Sequence, residues 1–191
     1  DYVIAWLKTE MRMMLDEELA RAFLVGDGRL ASDDDHINPD HIRPIWTDED
    51  LFTIKYKLDS TSPVDFIRGA IKSRIEYKGS GTPTLFITEE TLTDLLLMTD
   101  ATGRDLYESE QKLATKLRVS NIVTVPVLNG LIRTAKNGNQ FKLSGIIVNL
   151  ADYNVGADKG GSINMFDDFD IDYNAQKYLI GTRCSGALIK P

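Results

Sequence analysis

The first 25 residues carry apolar side chains at three- and four-residue steps: Ile4, Leu7, Met11, Met14, Leu15, Ala22 and Phe23. Lys8, Arg12, Asp16, Glu17 and Arg21 fall largely between them. That period belongs to a helix, and Asp1 is placed to cap it. Gly26-Asp27-Gly28 ends it, since a glycine just past the last apolar residue supplies a left-handed C-terminal turn. A glycine loop that cradles phosphate precedes a helix and uses its N-terminus; this one follows a helix, so a helix cap is the expected role. The rest of the chain has to be arranged around one long helix.

After it the pattern changes twice. Residues 30–50 are irregular and acidic, with Pro39 and Pro44 as breakers and Ile37, Ile42, Ile45 and Trp46 as anchors. Phe52 to Lys57 alternates as a half-buried strand does. Ser62-Pro63 opens a helix carrying Phe66, Ile67, Ala70, Ile71 and Ile75, because Ser before and Pro inside the first turn are start signals. Gly79 to Gly81 closes it. Thr84 to Thr88 reads as a strand, and Thr88 caps a helix over 89–98. A short helix over 110–117 and a strand over 122–125 follow. Asn137-Gly138 signals a turn. Residues 144–150 form a β-branched run suited to a buried strand, 156–161 a loop, and 163–171 and 175–189 two extended segments. The expected class is α+β.

Charge and cysteine count remove several function classes. The net charge is −7 with a pI near 4.9, whereas phosphate-driven nucleic-acid binding needs a clustered basic face. Cys184 is the single cysteine, so no disulfide forms within the chain, and a buried strand position suits it. No apolar run approaches the roughly 18 residues of a membrane span, and no secretory signal is present at the start. The chain begins inside an amphipathic pattern, without Met, and stops inside a strand pattern, so both ends read as cuts in a longer polypeptide.

One loop invites an enzyme reading. Residues 33–41 hold Asp33, Asp34, Asp35, Asp40, His36 and His41, and Asp and His are proper ligands for a divalent metal. Asp33, Asp35, His36 and His41 are the candidate ligands. The spacing fits neither a calcium loop, which needs a central Gly and a closing Glu, nor a helical pair of His, which Pro39 interrupts. A solvated acidic loop with Asn38-Pro39 as a turn is the competing reading. No catalytic residue and no cofactor is assigned. The Met11, Met13, Met14 cluster reads as packing.

The order of these features carries a resemblance. A long helix ends in LVGDGR; a strand–helix unit reads TLFITEETLTDLLLMTDATGRDLY; VSNIVTVPVL adds a strand with a proline; FDDFDIDYNAQKYLIGTRCSGALIKP closes the chain. This is similar to the major capsid protein of tailed bacteriophages, the HK-type capsid family with the Johnson fold, over essentially the whole chain. Arg183, Ala187, Leu188 and Pro191 match that family's R-x-x-x-A-[LI]-x-x-P ending, and HIRPI at 41–45 matches one subgroup. The family's N-terminal arm and extended loop have no counterpart here, and the loop after GDG is longer and more acidic than its common form.

The resemblance implies a peripheral domain of residues 1–29 and 156–185, with a spine helix and a long β-hairpin. It implies an α/β axial domain of residues 30–155 with 186–191. Gly26, Asp27 and Gly28 become the post-spine turn. Asn174 falls where some members place a crosslinking asparagine, though a turn asparagine is the simpler reading. In the last hairpin Leu179 and Cys184 are expected to face the helix and Lys177, Arg183 and Lys190 to point outward. Ser185-Gly186 is expected to mark the crossing to the axial domain, with 187–189 adding a strand there. The implied function is a non-enzymatic shell subunit that joins copies of itself into pentamers and hexamers around phage DNA, assembled in the bacterial cytoplasm and found in the virion. Scaffold, protease and portal proteins are implied partners; sequence-specific nucleic acid and membranes are not. An encapsulin-type compartment shell shares the fold, and a metal-dependent enzyme centred on 33–41 is the reading from another class.

Overall fold

The computed structural model describes residues 2–30, 32–134, 138–158 and 163–190. Its elements in chain order are α1 (Tyr2–Leu24), α2 (Pro63–Ser73), β1 (Thr84–Ile87), α3 (Glu89–Leu96), α4 (Glu110–Leu117), β2 (Ile122–Thr124), β3 (Ile132–Thr134), β4 (Gln140–Lys142), β5 (Ile146–Val148), β6 (Tyr153–Ala157), β7 (Asn164–Asp170), β8 (Ala175–Gly181) and β9 (Cys184–Leu188). The class is mixed α+β. The chain forms two compact units, Asp1–Thr47 with Asn154–Ala187 and Asp48–Tyr153 with Leu188–Pro191.

The second unit holds the apolar core. Its sheet runs β2-β1-β5. β1 lies parallel to β2, with Phe86 opposite Val123, and antiparallel to β5, with Leu85 opposite Ile147. Leu85, Ile87, Leu95, Leu113 and Leu117 are almost wholly buried, and Phe66, Ile67 and Ala70 of α2 join them. Burying one such leucine contributes about 1.5–3 kcal/mol. Each helix here starts at a side-chain cap. The hydroxyls of Ser62, Thr88 and Ser109 accept from the N–H groups of Asp65, Thr91 and Lys112 at 3.2, 3.2 and 3.4 Å, satisfying donors that have no partner inside the helix. α4 ends on Arg118 with φ +58, a left-handed cap on a residue with a side chain.

The first unit is built on α1. The N–H groups of Val25 and Gly26 both donate to the Arg21 carbonyl, at 2.9 and 2.8 Å, which closes the helix. The chain later returns past that end: Ile45 N–H donates to Phe23 O at 3.0 Å and Trp46 N–H to Leu24 O at 2.9 Å. Residues 41–43 lie along β9 as a third extended segment beside the β6-β9 pair. Ile42 bridges Gly186 in parallel, Arg43 N–H donates to Gly186 O at 2.8 Å, and Gly186 N–H donates to His41 O at 3.1 Å. β7 and β8 form an antiparallel hairpin paired from Asn164↔Gly181 to Asp170↔Ala175.

Several expectations are corrected. Residues 30–47 belong to the first unit, because Ile42, Arg43, Ile45 and Trp46 spend their backbone groups on β9 and the α1 end. Residues 52–57 form no strand: Phe52 and Thr53 N–H both turn back to Glu49 O, and alternation without a neighbouring strand has no ladder to join. Residues 156 and 157 continue β6 instead of opening a loop. The segment 175–189 breaks at Thr182-Arg183 into β8 and β9, and β9 runs through Ser185-Gly186 without a crossing there. α3 stops at Leu96. The cap expected at Asp1, the turn residue Asn137, the loop residues 159–161 and the ending at Pro191 lie outside the described residues.

Candidate functional site

The GDG turn is a clasp. Gly26 and Gly28 have φ of +89 and +72, the left-handed region that a Cβ disfavours. A Cβ on Gly26 would also meet Pro44 Cγ at 3.3 Å. Two left-handed turns around Asp27 aim its side chain, only 5% exposed, into the loop that follows. Its Oδ2 accepts from Ile37 N–H at 2.5 Å and its Oδ1 from Arg29 N–H at 3.2 Å. His36 Nδ1 sits 3.3 Å from the same Oδ2. Burial alone would raise the Asp27 carboxyl, but donation from Ile37 and Arg29, with the charges of His36 and Arg29, holds it below the ordinary carboxylate value.

Arg29 ties the same loop to the helix. Its Nη2 is 3.1 Å from Glu18 Oε1, its Nε is 3.2 Å from Asp35 Oδ2, and its Nη1 donates to Asp35 O at 3.3 Å. The sequence reading missed Arg29 and Glu18, and it named Ile37 only as an apolar anchor, not as a backbone donor to Asp27. Arg29 was visible as the residue after GDG, but nothing in its spacing showed that Glu18 and Asp35 converge on it.

The four candidate metal ligands are divided among separate tasks. Asp33 Oδ2 accepts from Leu30 N–H at 3.0 Å; Asp35 binds Arg29; His36 faces Asp27. His41 is exposed and contributes its backbone to β9. Among the described residues no three His, Cys, Asp or Glu side chains are grouped to hold a metal ion. Asn174 lies in the Ile171–Asn174 turn at the hairpin tip with φ +47, a conformation asparagine tolerates better than most residues.

Arg183 is exposed. Together with Leu15, Leu19, Ile37, Ile42 and Cys184 it lines an open groove of about 460 Å³. Cys184 is half-buried there, and that burial pushes its thiol up.

The hairpin is poorly covered. No residue of β7 or β8 is buried. One face carries Met165, Asp167 and Phe169 opposite Ile180, Tyr178 and Gln176; Lys8 of α1 stands 5.4 Å from the Tyr178 ring centre, so this face turns to the helix. The other carries Phe166 and Leu179, a cross-strand pair 60% and 64% exposed. Leu179 therefore faces away from the helix, contrary to expectation, because strand alternation sends it opposite to Tyr178 and Ile180. Lys177 on that face pairs with Asp170. On α1 only Ala22 and Leu24 are buried, while Tyr2, Val3, Trp6, Met13 and Met14 are exposed.

One polar cluster lies in the second unit. Ser80 donates its N–H and hydroxyl to Asp152 at 2.5 and 2.6 Å, Asn149 Nδ2 donates to Ser80 O at 2.6 Å, and Lys190 Nζ lies 3.2 Å from Ser80 Oγ. The Ser80 hydroxyl and N–H hold the Asp152 carboxyl below its ordinary value. The hydroxyl is committed to Asp152, so the group fastens the 79–81 loop to the 149–152 turn. Lys190 thus has a partner within its own unit, a contact the expected outward placement did not include.

No helix among the described residues is long and apolar enough to cross a membrane. Comparison with family models, with curated proteins and with solved structures finds no match for the chain.

Proposed function

We propose that this protein is a shell subunit of the phage major-capsid type, with the Johnson fold, whose work is self-assembly and not catalysis. The observation that carries the reading is the uncovered apolar surface of the first unit: a seven-pair hairpin with no buried residue and a 23-residue helix with two. Contiguous exposed apolar surface marks places where another molecule sits. Many modest contacts of this kind, repeated by symmetry, make a closed shell stable. The order of elements supports the reading as well, since a long helix, an α/β unit and a returning hairpin occur in the sequence that the resemblance requires. In this reading the helix and hairpin form the peripheral domain, the β2-β1-β5 unit is the axial domain, and the partners are further copies in pentamers and hexamers. The shell is assembled in the bacterial cytoplasm and becomes the virion wall. A net charge of −7 suits a wall that must not hold the DNA inside it.

The test is sedimentation of the full-length gene product with Phe166→Asp and Leu179→Asp together. These side chains support no buried core, so the variant keeps its helical content and thermal midpoint while losing large assemblies. Unchanged assembly in a folded variant removes the hairpin face as the contact.

A further inference from the structure

We propose that residues 54–57 of one copy pair, as an antiparallel strand, with residues 168–171 at the outer edge and end of β7 in a second copy, Tyr56 lying opposite Phe169 and Lys57 opposite Asp168. This rests on the self-assembly reading and names where two copies meet. It starts from backbone without a partner. Among the described residues, no backbone N–H or C=O of residues 54–58 has a hydrogen-bond partner. The segment is nevertheless held in place by its side chains. Lys55 Nζ donates to Asp48 O and to Asp50 Oδ1, both at 2.7 Å. Lys57 Nζ stands 4.8 Å from the Phe141 ring centre of β4. Leu58 packs against the core of the second unit. α2 makes room for it with Gly69, where a Cβ would overlap Leu58 Cδ2 and reach Tyr56 Cε1 at 3.6 Å. A fixed run of open N–H and C=O groups is a template for another strand, and holding it in place beforehand removes part of the cost of binding.

The residues of the segment select its occupant. Residues 54–57 read Ile-Lys-Tyr-Lys, apolar and basic by turns, in a chain whose net charge is −7. The complement is a strand that is apolar and acidic by turns. Residues 168–171 read Asp-Phe-Asp-Ile. Laid antiparallel, the two set Ile54 against Ile171, Lys55 against Asp170, Tyr56 against Phe169 and Lys57 against Asp168. All four are kinds of cross-strand pair that favour pairing. A parallel arrangement through Tyr56 and Phe169 sets Ile54 against Asp167 instead.

β7 has an edge to offer. Its sheet has two strands, so β8 takes one edge and no strand among the described residues lies along the other. Ile54, Tyr56, Phe169 and Ile171 are all exposed. The two charge pairs are unequal. Lys55 is already held by Asp50, and Asp170 by Lys177. Lys57 lies over a ring, and Asp168 spends Oδ1 on the adjacent Phe169 N–H at 2.8 Å, so Lys57 with Asp168 is the ion pair that the contact adds.

The experiment is disulfide trapping between two populations of the full-length protein, one carrying Tyr56→Cys and the other Phe169→Cys, mixed and mildly oxidised. Opposed residues of antiparallel strands have Cα atoms about 4.5–5.5 Å apart, within reach of a disulfide. Peptide mass spectrometry is expected to find these two positions joined. Phe166→Cys in place of Phe169→Cys moves the thiol three residues along, about 10 Å. That exceeds the roughly 7 Å limit, so no joining is expected there. All three side chains are exposed, so these changes remove no core. A second measurement needs no added cysteine. Lys57→Glu is expected to weaken self-association in sedimentation by about threefold to tenfold, and Asp168→Lys in the same chain to restore it. Equal joining at positions 169 and 166, no joining at 169, or a charge reversal without effect overturns the proposal. Shells in which 56 and 169 do not join overturn this contact and leave the self-assembly reading standing. Joining within species of only a few copies supports the contact and counts against a closed shell.

Discussion

Replacing Asp27 by alanine tests how much the clasp contributes to the first unit. The carboxylate accepts two backbone N–H groups, from Ile37 at 2.5 Å and from Arg29 at 3.2 Å. A hydrogen bond to a charged group is worth about 1.5–3 kcal/mol. The Ile37 bond is the shorter and lies under a side chain only 5% exposed, so it accounts for most of the loss; the longer Arg29 bond adds less, since water can replace it. The sum is about 2–3 kcal/mol, a large share of a typical 5–15 kcal/mol stability. Both tryptophans, Trp6 and Trp46, lie in the first unit, so fluorescence during urea unfolding reports on it selectively. With a urea slope of about 2 kcal/mol per molar, the midpoint falls by about 1–1.5 M. The deficit has a pH sign. A carboxyl held low when folded contributes above its ordinary value and ceases to contribute as pH falls through its folded value. The two proteins therefore converge only below the ordinary carboxylate range, as the folded carboxyl protonates. A midpoint shift under about 0.3 M at pH 7, or a deficit that persists unchanged into strong acid, refutes the reasoning.

Two further changes probe the second unit. Arg118→Gly relieves a left-handed residue at the α4 cap, where φ is +58 and the side chain is exposed; thermal unfolding is expected to show a gain of about 0.5–1 kcal/mol. Gly145→Ala places a Cβ 2.9 Å from Ile87 Cγ2 and 3.2 Å from Phe86 O; the backbone carbonyl cannot yield, so chemical denaturation is expected to show a loss of about 1–3 kcal/mol.

The parts legible in the sequence are those governed by local signals. α2 and α3 begin at Ser62 and Thr88, because a hydroxyl before an apolar period is itself the cap, and α4 covers the residues expected of a short helix, with a Ser109 cap that the structure adds. β1, β2 and β5 fall within short apolar runs that can only be buried. The GDG turn was readable from the left-handed preference of glycine. What was hidden depends on partners distant in the chain. The Phe52–Lys57 alternation has a strand's period but no neighbour, and Val155 to Ala157 joined β6 because β9 lies beside it. HIRPI reads as a loop, yet its backbone pairs with Gly186. The acidic run 33–41 looked like one ligand set and is instead partitioned among Leu30, Arg29 and Asp27. That division is decided by where the chain doubles back, which composition does not encode.

The central claim is self-assembly, and electron microscopy of the purified full-length protein tests it most directly. The account predicts closed shells of uniform diameter, and it predicts that Arg183→Ala, an exposed residue at the groove beside α1, lowers their yield while the subunit stays folded. A folded product that yields only monomers or small irregular aggregates under those conditions contradicts it.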